Sequence, residues 1–194
     1  MMSNLSAVGR RILRFALRPQ SAMDAVANQP LPREGVMAVS FVPFVWSMFC
    51  LLLFAGGHAP SFALVPVPRE SYYLAQAVFV FPVTLGLWWL MGVVVTRIVG
   101  GPSHSEVVFS LVGYAYAAPM LFAFLLVDVV IYGVSGFEAL GRYIRFYAPV
   151  APLWSLALAT VGLRRAVGAT WGRALLASMA ALAVQAIVGG LVLR

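Results

Sequence analysis

Of the 194 residues, 62% are hydrophobic, 13% aromatic and 10% charged, against about 45–50% apolar and about 25% charged in an average soluble domain. Nineteen charged side chains, 13 basic and 6 acidic, do not cover the surface of a water-soluble fold of this length, so the composition excludes a soluble globular domain and places the chain in a membrane. The net charge of +7 is carried by Arg alone, with no Lys; most of these Arg fall between apolar runs, where they orient spans rather than grip phosphates, and no nucleic-acid partner is expected. The all-Arg usage suggests a GC-rich, bacterial genome. Cys50, the single cysteine, lies within an apolar run, which leaves no intramolecular disulfide and no thiolate metal cluster.

In chain order, residues 1–34 read as a basic cytoplasmic segment. From Asn4 to Arg18, Leu5, Val8, Ile12 and Phe15 recur at helical spacing, while Arg10, Arg14 and Arg18 follow one another at i, i+4 on another face. This pattern predicts a short amphipathic helix lying on an anionic inner leaflet, with anionic lipids as its partners. Pro19 is expected to end it, and Ser21 with Asp24 to cap a second short helix through Val26 and Ala27.

Residues 35–194 hold five apolar runs long enough to cross about 30 Å of hydrocarbon: Gly35 to Gly57, Leu74 to Thr96, Val107 to Val134, Phe146 to Leu163, and Ala174 to Leu193. The expected fold is therefore all-α, a polytopic bundle of five transmembrane helices behind the amphipathic prelude. The connectors carry turn chemistry, with Pro60, Pro66 and Pro68 in the first, Gly100, Gly101 and Pro102 in the second, Ser135 to Arg145 as the third and Arg164 to Arg173 as the fourth. With the N-terminus inside, the inner side holds Arg10, Arg11, Arg14, Arg18, Arg33, Arg97, Arg164, Arg165 and Arg173, and the outer side only Arg69, Arg142, Arg145 and Arg194. The positive-inside rule thus predicts an N-in, C-out chain.

Asp128 is the one ionisable residue inside a run, where a charge costs about 2.5–3.5 kcal/mol at mid-bilayer. It lies about 30 Å along the third run at about 1.5 Å per residue. It reads either as an ion relay or as an interfacial carboxylate paired with Arg142 or Arg145. His58 and His104 fall in connectors on opposite sides and share no metal. Ser103 and Glu106 read as a capping box for the third run, with Arg97 as a nearby counter-charge. Gly133-Val134-Ser135-Gly136 matches an intramembrane nucleophile motif, but no His follows position 104, so it reads as a turn. No nucleophile, base and orienter assemble on one side, and neither enzymatic activity nor a cofactor is expected. Pro43, Pro82, Pro119 and the pair Pro149 and Pro152 are expected to interrupt four of the five runs, which either kinks helices for packing or builds a cavity. In the last run Ala177, Ala181, Gln185 and Gly189 form a small-residue stripe suited to helix packing, within the chain or in a homo-oligomer. The five Trp, at positions 46, 88, 89, 154 and 171, read as interface anchors or packing.

The stretch Ser105-Glu106-Val107-Val108-Phe109-Ser110-Leu111-Val112-Gly113-Tyr114-Ala115-Tyr116-Ala117-Ala118-Pro119 resembles Yip-domain proteins, the family named after Ypt/Rab-interacting proteins, in its Gly-Tyr followed by a Pro. Leu153-Trp154-Ser155, then Gly162-Leu163-Arg164 and a terminal apolar run, are similar to the family's fourth and fifth spans, and Leu17-Arg18-Pro19 with Met23 resembles the prelude of its bacterial branch. The Asp-Leu-Tyr-Gly-Pro motif of the eukaryotic branch, associated with Rab-type small GTPases, is not found here. The resemblance implies a small bacterial inner-membrane protein and a structural role for Gly113, Tyr114 and Pro119. The expected function is that of a non-catalytic membrane organiser or adaptor recruiting a membrane-protein partner. The alternative is a small transporter or lipid-handling protein using Pro-broken helices and Asp128.

Overall fold

A computed structural model of the chain describes residues 2–28, 32–60 and 67–192; the expectations for Pro66, Leu193 and Arg194 lie outside them, as does the packing of Leu5 and Gly189. Every regular element among the described residues is helical. The first, α1 (Met2–Leu17), closes where Arg18 N–H donates to the Arg14 carbonyl, and α2 (Pro19–Asn28) opens immediately. Pro19 is the first residue of α2, a position where its missing N–H costs nothing. Ser21 and Asp24 are not the expected cap: the Ser21 hydroxyl donates to the Arg18 carbonyl at 3.0 Å, and Asp24 faces Arg165 at 3.7 Å.

The apolar side of this helical hairpin turns into the protein. Val8, Ile12 and Phe15 of α1 and Ala22, Met23 and Val26 of α2 are buried, with α1 packed on the helix Ser105–Pro119 and α2 on the helix Val150–Val167. Arg10, Arg14 and Arg18 stay exposed. The hydrophobic face expected to enter a leaflet is therefore already used against the bundle.

The bundle consists of α3 (Pro32–Ala55), α4 (Tyr72–Val99), α5 (Ser105–Pro119), a π-helical stretch (Met120–Leu125), α6 (Leu126–Ser135), α8 (Val150–Val167) and α9 (Trp171–Val192). The expected boundary at residues 34 and 35 falls inside the first turn of α3. Pro43 and Pro82 lie inside α3 and α4, which nonetheless run on as single helices. Only Pro119 coincides with a change of helix type: lacking an N–H, it leaves the i−4 carbonyl without its usual partner, and wider π turns follow. Four helical stretches are long and apolar enough to cross a membrane, namely Arg33–Ala55, Arg69–Val99, Ser105–Ser135 and Phe137–Val167, and α9 adds a shorter apolar stretch, Trp171–Ile187. Phe44, Met48, Val78, Phe79, Trp89, Leu153, Met179 and Ile187 are exposed, the outward apolar surface that a bilayer covers.

Two expectations change at the third connector. Residues from Phe137 to Tyr147 form a helix, α7, entered through Gly136 at φ 78°. Pro149 stands at the turn between α7 and α8, inside the apolar helical stretch Phe137–Val167, but neither proline breaks α8 itself: Pro149 is its N-cap and Pro152 lies in its first turn, where no intrahelical partner is lost. The second connector also differs from its reading. His104 rather than Ser103 is the N-cap of α5, and the Ser103 hydroxyl lies 3.1 Å from His104 Nδ1. Through all this α5 is central, packed against α1, α2, α3, α4 and α8, while α9 packs on α4 and α8.

Candidate functional site

The Gly-Tyr motif sits where three helices meet. Gly113 of α5 crosses Gly35 of α3 so closely that a Cβ on Gly113 would lie 2.8 Å from the Gly35 carbonyl oxygen, and one on Gly35 would lie 2.9 Å from the Phe109 carbonyl oxygen. The Phe109 carbonyl also accepts a 3.0 Å hydrogen bond from Trp88 Nε1 of α4. Bringing the backbones together in this way delivers the next side chain to α1. The Tyr114 hydroxyl donates to Glu34 Oε2 at 3.0 Å, the same oxygen takes a charge-assisted hydrogen bond from Arg11 Nη1, and the Phe15 ring stacks on Tyr114 with centroids 4.9 Å apart. Glu34 was not singled out in the sequence, and Phe15, Arg11 and Gly35 were read there only as part of an apolar face, an inner-side charge and the start of the first run, although together they complete the motif. What they build is a clamp that fixes the basic hairpin to the end of the bundle. Arg164 lies over the exposed Trp171 ring at 4.5 Å at the α8–α9 turn.

The second feature is a cavity of about 600 Å³ inside the bundle. Its buried floor comprises Trp46 of α3, Val80, Thr84 and Leu87 of α4, and Tyr116 of α5. One wall is the π-helical stretch, through Met120, Phe124 and Leu125; the other is the α7–α8 corner and α9, through Ile144, Pro149 and Gln185. Three polar side chains lie along an otherwise apolar lining: Thr84, Tyr116 and Gln185, whose amide nitrogen reaches Met120 Sδ at 3.8 Å. The described part of the small-residue stripe is internal, since Ala177 and Ala181 are buried in α9 and Gln185 lines this space. A void of about 20 Å³ adjoins it between Ser155 and Ser178. Both serine hydroxyls lack a hydrogen-bond partner among the described residues, and the void has room for one bridging water.

Asp128 is fully buried in the first turn of α6 and accepts a hydrogen bond from the Tyr147 hydroxyl at the end of α7. Arg145, one of its two expected partners, lies over the Phe146 ring at 4.9 Å. Asp128 does not line the cavity. It is one helical turn beyond Phe124, which does, and the Phe124 and Tyr147 rings are 5.9 Å apart. At the same end, His58 stacks on Phe137 at 4.4 Å and its Nε2 lies 3.2 Å from the Tyr132 hydroxyl; His104 is at the opposite end of the bundle, beside α5. No group of three His, Cys, Asp or Glu able to hold a metal occurs among the described residues. Of the expected site residues, Gly113 and Tyr114 belong to the clamp, Pro119 precedes the π stretch, Arg10, Arg14 and Arg18 face outward, and Asp128 stands apart from both.

No curated protein matches the chain, and no solved structure does. The family model of the Yip1 domain matches residues 14–193, which takes in the last turn of α1 with Phe15, Glu34 and Tyr114 of the clamp but not Arg11, the π stretch and the cavity walls. With residues 14–193 matched, nearly the whole sequence, the chain belongs to the Yip1-domain family.

Proposed function

We propose that this chain is a non-catalytic, five-span protein of the bacterial inner membrane, with its N-terminus cytoplasmic and its C-terminus outside, acting as a membrane organiser or adaptor. The observation that carries the reading is the clamped hairpin. The Arg11–Glu34–Tyr114 contact and the Phe15 stack hold α1 against α5, while Arg10, Arg14 and Arg18 remain exposed. A rigidly presented row of guanidinium groups is suited to anionic lipid headgroups and to an acidic surface of a membrane-protein partner, and its contribution falls with salt. Arg counts support the orientation, because the hairpin end of the bundle also carries Arg97, Arg164, Arg165 and Arg173.

The test is extraction with native lipid in polymer nanodiscs, followed by mass spectrometry of what co-isolates. A stoichiometric second protein or enriched anionic lipid is expected with the native chain. Changing Arg10, Arg14 and Arg18 together to Gln should reduce that association while all spans stay inserted. Undiminished association after the triple change refutes the assignment to this face.

A further inference from the structure

We propose that the 600 Å³ cavity is a binding site for one hydrocarbon chain of an anionic membrane lipid, entered sideways from the bilayer between the start of α8 and α9. The size falls within the range of about 300–1,000 Å³ that small-molecule sites occupy. The walls decide the chemistry. A water molecule needs two to four polar partners, and along most of this lining there are none: Val42, Val80, Leu87, Leu125 and Leu182 offer only carbon. Left empty, the same walls forfeit their dispersion contacts. A hydrocarbon chain supplies those contacts along the carbon-only part of the lining.

The opening agrees with that occupant. Pro149, Leu153 and Ala186 line the cavity and are exposed, so the rim is apolar and continuous with the outward apolar surface of Met179 and Ile187. A lipid chain meets such a rim from within the bilayer and does not cross water to enter. The head end is set by α7. Ile144 lines the cavity, and Arg142 and Arg145 are exposed on the same helix, so the helix that forms this wall carries positive charge that favours a phosphate or carboxylate headgroup at this end. The π stretch shapes the site, since Met120, Phe124 and Leu125 are carried on turns wider than α-helical ones. This inference concerns the opposite end of the bundle from the basic hairpin and stands without any protein partner.

Trp46 makes the proposal measurable, because it lines the cavity and is only 7% exposed. With the more accessible Trp89, Trp154 and Trp171 changed to Phe, the remaining indoles are Trp46 and Trp88, and Trp88 is buried outside the cavity. The isolated chain is placed in nanodiscs of phosphatidylglycerol whose acyl chains carry bromine, a quencher that acts at contact. Emission from Trp46 should be lost while that from Trp88 persists, and Ala186→Phe at the rim should restore it. If Ala186→Phe does not fold, titration of the quenched sample with unbrominated phosphatidylglycerol supplies the same information through competition. A second arm adds brominated stearic acid to unbrominated nanodiscs; quenching there assigns the site to a free fatty acid, and quenching only in the first arm assigns it to a phospholipid. Equal emission with and without bromine in both arms overturns the proposal, as does quenching that a folded Ala186→Phe variant leaves unchanged.

Discussion

Replacing Gly113 by Ala tests whether the α3–α5 crossing is set by backbone contact. The new Cβ would meet the Gly35 carbonyl oxygen at 2.8 Å and its Cα at 3.0 Å, whereas ordinary contact begins near 3.4 Å. Both neighbours are main-chain atoms, so no rotamer relieves the overlap and the helices must part by about half an ångström. Overpacking of this kind costs about 1–3 kcal/mol. Against it stands the helix propensity of Ala over Gly, worth about 0.8–1.0 kcal/mol, so the net loss is expected at about 0–2 kcal/mol and the propensity gain must be removed to see the contact. Gly86 of α4 supplies the control, because a Cβ there meets nothing within 4 Å. Gly86→Ala should be neutral or stabilising, and the difference between the two variants, about 1–3 kcal/mol, isolates the steric contribution. Reversible unfolding in mixed micelles of rising SDS fraction, followed by circular dichroism, gives both numbers. Equal shifts for the two variants would show that the crossing yields freely and that Gly113 is not required by close approach.

Three further outcomes follow from the side-chain contacts. Glu34→Gln keeps an acceptor for Tyr114 but removes the charge facing Arg11; with the pair about a fifth exposed at 21% and 19%, the loss should be about 1–2 kcal/mol, read as faster hydrogen exchange in α1 with α5 unchanged. Asp128→Asn retains an oxygen for the Tyr147 hydroxyl and should alter stability by less than about 0.5 kcal/mol, whereas Asp128→Ala removes the acceptor and should cost about 1–3 kcal/mol; the same unfolding assay separates them, and equal losses would mean that the charge, not the hydrogen bond, is what the site needs. Arg165→Gln weakens only an exposed 3.7 Å contact with Asp24 and should change stability by about 0–0.5 kcal/mol, so a larger effect would show that α2 depends on that contact to stay on α8.

The legible parts of this molecule are those in which one segment carries its own pattern. Long apolar runs mark α3, α4 and the helix from Ser105 to Ser135, and the spacing of Val8, Ile12 and Phe15 marks the buried face of α1. Helix α7 escaped because Glu138, Arg142 and Arg145 make its composition that of a connector, and eleven residues are too few for a hydropathy reading. The prolines at 149 and 152 show a different limit: whether a proline breaks a helix or starts one depends on where the chain turns, and the turn here is made by α7. The clamp was invisible for a third reason. Arg11, Glu34 and Tyr114 are 23 and 80 residues from one another along the chain, and a close crossing needs two glycines, of which only Gly113 stood in a recognisable motif. The cavity belongs to the same class, since it exists only once five helices and the α7–α8 corner surround it.

The π-helical stretch after Pro119 also sets a phase. An α-helix advances about 100° per residue, so the one extra residue accommodated in a π bulge rotates everything beyond it by about that angle relative to everything before. Tyr114 faces the clamp and Asp128 faces α7 because the two halves of this helix are out of register with a single regular repeat. Removing one residue between Met120 and Leu125 would let the helix run on uninterrupted, yet it would swing Asp128 off Tyr147 and Phe124 out of the cavity wall. The two ends of the protein are thus keyed to each other by a residue count rather than by a side chain.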